Sequence, residues 1–538
     1  MKPYLILGAL TAGVVAVPAD AQRRRDITPY IEVSQVVTAD LDGPGSDVLT
    51  YTSVAAGLDA SVQTQRVEVQ VSYRYEHRFA WDDPLVEDSI HSGLARGALR
   101  LGYGLNLEGG ALATRARSDI RGALPGNLAG NVGNTSQLYA AYVGPTLATH
   151  VGPGTLNAAY RFGYTKVEEP GLLGLGPDQV PIDYYDDSTS HLAMASYGVR
   201  AGAVAPFGLT VSGAWTREEG SQLDQRYDGY FGRADVVQPI TGQLALVGGV
   251  GYEKIEITQR DALVDATGQP VTDGSGRFVT DPASPVRLAY QTDGLIWDAG
   301  VVWRPSPRTT LEARVGQRYD TTIYTGSLSW QVSANSGLQI GVYNGVQSFG
   351  RGLRDAISAL PTSFATRPDP FSDQFSGCVF GTGAGSAAGG SAGGCLNPLL
   401  GAISTANFRA RGVDGVFSAT RGAYTFGLGA GYFNRRYLLP PLSPGQFLYG
   451  VTDEGYYGQL FATRTLDGRS SIALDVYANY FDSGVIYAPD VLGGGANGSY
   501  SYSFGRFGAT ASLGVYAFDQ DGISDVSGQA LLGMRYSF

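Results

Sequence analysis

Lysine is almost missing from this chain of 538 residues, cysteine and histidine are scarce, and no apolar run after the first twenty residues is long enough for a membrane helix. Each shortage excludes something. Only Lys2, Lys166 and Lys254 stand among the 38 basic residues, and 49 acidic ones bring the formal net charge to −11. So acidic a chain does not suit nucleic acid, whose phosphates are held by basic surfaces. Cys378 and Cys395 are the whole cysteine complement, and two sulfurs with no histidine beside them fall short of a four-ligand zinc site. His77, His91, His150 and His191 stand apart, and no HExxH, GxSxG or paired-carboxylate motif organises them. A hydrolase assembled across strands, for example from His91 with Ser92, is the enzymatic arrangement left open. The expectation is no enzyme, no cofactor and no metal.

Glycine (76) and tyrosine (33) are plentiful, while charged residues make up only 16%. The clearest segment is Arg66 to Phe79, where Val67, Val69, Val71, Tyr73 and Tyr75 alternate with Glu68, Gln70, Ser72, Arg74 and Glu76. A period of two gives a strand one apolar and one wet face, which no helix could do with this pattern. The same grammar returns at Leu156-Ala158-Tyr160-Phe162-Tyr164, at Tyr424-Phe426-Leu428-Ala430-Tyr432 and at Ile472-Leu474-Val476-Ala478-Tyr480. The final residues repeat it. Ala530, Leu532, Met534, Tyr536 and Phe538 share one parity, Gln529, Gly533, Arg535 and Ser537 the other, and Leu531 breaks the pattern.

Between strands the connections come in two lengths. Ten short turns, from Gln63-Thr64-Gln65 to Gly505-Arg506-Phe507, alternate for the most part with longer polar segments such as 120–134, 168–188 and 260–285. Ten turns join twenty strands, and one more at each end gives about 22, within a range of roughly 18 to 24. Short turns opposite long loops are the asymmetry of outer-membrane barrels. The fold class expected is all-β, a single closed antiparallel transmembrane β-barrel.

With its terminal aromatic, this last strand resembles that of Gram-negative outer-membrane β-barrels, and the chain as a whole resembles their porin-like class. The resemblance implies that Met534, Tyr536 and Phe538 form the insertion signal read by the barrel-assembly machinery. The turn Trp303-Arg304-Pro305-Ser306-Pro307-Arg308-Thr309-Thr310-Leu311 also looks like a signature of β-barrel porins associated with exopolysaccharide or surface-protein systems. Lys2, the apolar stretch Tyr4 to Val17 and the small-x-small site Ala19-Asp20-Ala21 read as a secretory signal. Residues 1–21 are thus expected to be removed and 22–538 to form the barrel in the outer membrane, among lipids and lipopolysaccharide. Arg23, Arg24 and Arg25 are a departure, since positive charge there slows export. Few residues separate Gln22 from a first strand at Pro29 to Thr38, so no N-terminal plug domain is expected.

On these parities Glu68, Arg74, Glu76, Arg161, Arg200, Glu312, Arg314, Arg318, Asp475 and Arg535 fall on the lumen side, because Arg or Lys facing lipid costs about 2 to 4 kcal/mol at the midplane. They either pair across neighbouring strands or meet a solute. Cys378 and Cys395 flank the flexible run Gly381 to Gly394, and a disulfide there suits an oxidising compartment. They lie in the long loop 349–406, which either narrows the barrel mouth or stands outside as a stapled surface loop. The function expected is passive diffusion of small polar solutes, the alternative a structural or export-associated barrel for polysaccharide or surface protein.

Overall fold

Strand alternation governs almost the whole described chain. The computed structural model describes residues 24–538 except 43–47, 82–87, 122–133, 169–181, 367–370, 372–374, 376, 383–391, 402, 442, 445–447, 487 and 521–522. The signal segment 1–21 therefore lies outside the described residues. The first strands are β1 (Arg24–Asp42), β2 (Val48–Gln63), β3 (Val67–Ala80), β4 (Asp88–Gly102), β5 (Leu105–Arg117), β6 (Thr135–Val151), β7 (Gly154–Val167) and β8 (Asp187–Val199). They are followed by β9 (Gly208–Gly220), β10 (Gln225–Pro239), β11 (Leu244–Gln259), β12 (Arg287–Ser306), β13 (Thr309–Arg318), β14 (Thr321–Ser333) and β15 (Ser336–Gln347). A connecting segment then holds helix α1 (Phe349–Ala359), a small hairpin of β16 (Cys378–Phe380) and β17 (Gly393–Cys395), and helix α2 (Asn397–Leu400). The wall resumes with β18 (Asn407–Arg421), β19 (Tyr424–Leu438), β20 (Thr452–Thr465), β21 (Ser470–Asp482), β22 (Val491–Phe504), β23 (Phe507–Gln520) and β24 (Ile523–Ser537).

The wall is one antiparallel sheet of 22 strands in which each pairs with its sequence neighbours, β15 with β18 across the connecting segment. The last strand returns to the first: Tyr30 pairs with Ser537 and Thr38 with Gln529, which makes the sheet a ring. Alternation sets the two faces. Leu513, Leu532, Met534 and Phe538 project outward and are exposed, whereas Ser34, Ser53 and Gln529 project inward and are buried. Aromatic side chains gather near both rims of the outer face, as membrane-interface girdles do. At the short-turn rim Phe507 meets Tyr536 at 5.0 Å and Tyr536 meets Phe538 at 5.1 Å. At the other rim Tyr432 meets Tyr456 at 4.8 Å, and the His91 and His191 rings pack among tyrosines, Nδ1 of His91 lying 2.6 Å from the Tyr73 hydroxyl. His91 and Ser92 are consecutive in β4, so alternation sends their side chains to opposite faces and no dyad forms.

Candidate functional site: a plug built from the long loop

The segment between β15 and β18 folds back into the ring. Ser348 caps α1 by accepting from the Arg351 amide, and Phe349, Leu353 and Ile357, spaced by four, make one stripe that is fully buried. Gly350, Arg351, Gly352 and Arg354 are buried too, while Asp355 and Ala359 on the far side are exposed. A short helix buried over its first two turns is packed on several sides, and here what it packs against is largely wall. Phe349, Leu353 and Ile357 join one core with Leu94, Leu112 and Leu138 of β4 to β6, and with Phe408, Phe433 and Phe461 of β18 to β20. β5 and β18 stand half-way round the ring from each other, so this core bridges opposite walls.

Polar contacts pin the segment along its length. Glu218 of β9 accepts from the Ser348 hydroxyl and from Arg351 Nε at 3.2 Å, and the Arg351 guanidinium lies 3.4 Å over the Tyr227 ring of β10. Arg96 of β4 donates to the Leu360 carbonyl at 3.1 Å, and the Gln70 side chain of β3 both donates to the Phe364 carbonyl and accepts from its amide, at 2.7 and 2.8 Å. Phe371 reaches the seam of the ring, packing with Val36, Tyr51, Tyr516 and Leu531. The residue that broke the terminal alternation is thus an inward apolar contact for the plug. In the hairpin, Cys378 pairs with Cys395 and their sulfurs are bonded; the Cys378 amide donates to Gln459 of β20 at 3.0 Å. Two wall glycines leave room for these parts. A Cβ at Gly429 would stand 2.4 Å from the Cys378 sulfur, and one at Gly110 would stand 2.8 Å from Ile357.

The residues placed on the lumen side by parity take several roles. Glu68 accepts from Thr362 of the plug, and Asp475 accepts from Gln459 at 3.4 Å. Arg74 bridges Glu32 and Glu76 at 2.8 and 3.1 Å, and Arg535 reaches Asp59 at 2.8 Å while covering the Tyr30 ring. Arg318 pairs with Glu253 and Arg314 with Glu312, Asp235 and Asp298. Arg233 also holds both aspartates. This last network occupies β10, β12 and β13, apart from the plug. Arg161 keeps its Nε buried without a partner among the described residues. Arg200 is a correction: it follows the end of β8 and is exposed in the turn to β9, because β8 ends one residue earlier than the alternation suggests. Cross-strand pairing therefore describes most of these charges, and the contacts of Arg96, Glu218, Arg351 and Arg435 with the plug network were not visible in strand parity. Arg435 of β19, fully buried, holds Asp453 of β20 at 2.5 Å and donates to the Pro398 carbonyl.

At the long-loop rim a partly buried acid joins three connections. Asp183, before β8, accepts from Gln222 at 2.6 Å and from the Phe278 amide at 3.0 Å. Its other oxygen is buried with no partner among the described residues. Burial pushes its carboxyl up to about 7, although those hydrogen bonds and the nearby Arg277 oppose the shift.

No protein-family model matches the chain, and none of the curated proteins compared matches it. Solved structures do. The ferric-catecholate import receptor Fiu from E. coli K12 in its open form is 12% identical, with a TM-score of 0.41 over 96% of this chain and 82% of that one. The FrpB iron transporter from Neisseria meningitidis is 10% identical, with a TM-score of 0.43 over 95% and 83%. The siderophore receptor PiuA from Acinetobacter baumannii is 9% identical, with a TM-score of 0.41 over 94% and 82%. At such values the likeness adds nothing to what the ring of 22 antiparallel strands shows by itself. The expectation of passive diffusion is overturned by the structure itself, because a folded core joined to opposite walls stands where free diffusion needs open water.

Proposed function

We propose that this chain is a gated transport protein of the outer membrane, whose lumen opens to a small polar solute when the internal plug shifts. The observation behind the proposal is the core that joins α1 and the disulfide hairpin to opposite walls, with Phe349, Leu353 and Ile357 fully buried. Burial of that kind holds the plug shut at rest and makes opening a discrete event. The strip of β10 to β13, with Arg233, Asp235, Asp298, Glu312 and Arg314, lines the path beside it. Residues 1–21 act as the export signal, and Met534, Tyr536 and Phe538 are recognised during assembly into a membrane of lipid and lipopolysaccharide. Planar-bilayer recording of the refolded protein tests the gate. The intact chain rests closed with brief openings, and deletion of residues 361–395 gives a steadily open pore. A large steady conductance from the intact chain would overturn the proposal.

A further inference from the structure

Between the plug and the wall of β15, β18 and β19 lies a half-enclosed cavity of about 320 Å³, at the lower end of the range for small-molecule sites. Strand register shapes its wall side. Gly341 pairs with Asp414 and Tyr343 with Gly412, so each large inward side chain faces a glycine, and the two are diagonal neighbours on one face. The Tyr343 hydroxyl extends over Gly412, 2.6 Å from where a Cβ would stand. The remaining surface is partly apolar, with Leu399 from the plug and Phe408 from the wall.

Three charged side chains line this space: Asp355, Asp414 and Arg435. Two are already neutralised, Asp355 by Arg354 at 2.9 Å and Arg435 by Asp453 at 2.5 Å. Asp414 has neither an ion pair nor a hydrogen bond among the described residues. The Tyr343 hydroxyl beside it is buried and also lacks a partner among them. A carboxylate withdrawn from bulk water is stabilised by a cation, and leaving it alone is costly. An aromatic ring adds attraction for an ammonium group.

We infer that this cavity is a binding site for a small organic cation, its ammonium group at Asp414 and Tyr343 and its apolar body against Leu399 and Phe408. An anion meets the Asp414 charge, a neutral ligand leaves that charge unpaired, and a bare metal ion leaves the apolar half empty. The site goes beyond the gating proposal and does not depend on it, because binding is read without transport. Isothermal titration of the full-length protein, folded in detergent, with phenethylammonium chloride, phenethyl alcohol and sodium phenylacetate tests it. The ammonium ligand binds at least about tenfold more tightly than the alcohol, and phenylacetate does not bind. Asp414→Asn lowers the ammonium affinity to that of the alcohol. Ala356→Leu, which fills the cavity from α1 without changing charge, removes both. Equal affinities for ammonium and alcohol, or ammonium binding that survives Asp414→Asn, would overturn the inference. Should Asp414→Asn fail to assemble, the ligand series and Ala356→Leu decide the matter by themselves.

Discussion

Replacing Leu353 by alanine separates the stability of the plug from that of the wall. Leu353 lies one turn from both Phe349 and Ile357, is fully buried, and sits in the core that joins the plug to the wall. The wall against which it packs is a continuous strand ladder, so that side cannot collapse to refill the space. Leucine-to-alanine changes in such sites cost about 3 kcal/mol, toward the lower end of the observed range. Leu353 contributes no hydrogen bond to the ladder, so the loss falls on docking of the plug. At 1.4 kcal/mol per decade, about 3 kcal/mol raises the undocked population roughly 100-fold. Openings in a planar bilayer become more frequent by about that factor, and amides of 348–365 exchange faster by the same factor, while the heat-induced gel shift of the folded barrel stays near its original temperature. Unchanged openings and exchange would refute the reasoning. So would a barrel that melts with the plug, since the two would then be one cooperative unit.

Three other perturbations probe separate links. Changing Cys378 and Cys395 together to serine frees a loop whose ends are 17 residues apart and removes about 3 kcal/mol of chain-entropy restraint; limited proteolysis within 377–395 should speed up, and cleavage as slow as in the oxidised protein would contradict this. Asp183 binds its proton more tightly in the folded rim, up to about pH 7, than in an unfolded chain, where a carboxyl titrates near 3.9. Its junction is therefore strongest below about pH 4 and weakens as pH rises towards 7; intrinsic-rate-corrected hydrogen exchange of 276–280 should be slower at pH 5 than at pH 8, and Asp183→Asn should remove the difference. Deleting Phe538, whose ring meets Tyr536 at 5.1 Å on the outer face, should lower the yield of assembled barrel in the outer membrane, as measured by heat-modifiable mobility.

Strand periodicity is a local property, and for that reason the wall was readable. The alternation at Val67 to Tyr75 and the ten short turns lead to the count of 22 strands. The tight turn at Tyr319 and Asp320, both with positive φ, was missed because neither residue is glycine and the run reads as polar strand. Contacts between opposite walls have no local signature. Nothing near Glu218 announces Arg351, 133 residues later. Two clues did lie in the sequence: Leu531, apolar on the wrong parity, and glycines such as Gly110 and Gly429 on inward positions, where a side chain would meet the plug.

Attachment at both ends has a kinetic consequence. The plug runs directly from β15 into β18, two strands that are paired to each other, so an undocked plug cannot leave. Its return is an intramolecular reaction, with an effective concentration of about millimolar for a short flexible tether, whereas a separately folded stopper would have to be recaptured from dilute solution. Lifetimes of the open state should therefore be independent of protein concentration, and each barrel resets its own gate.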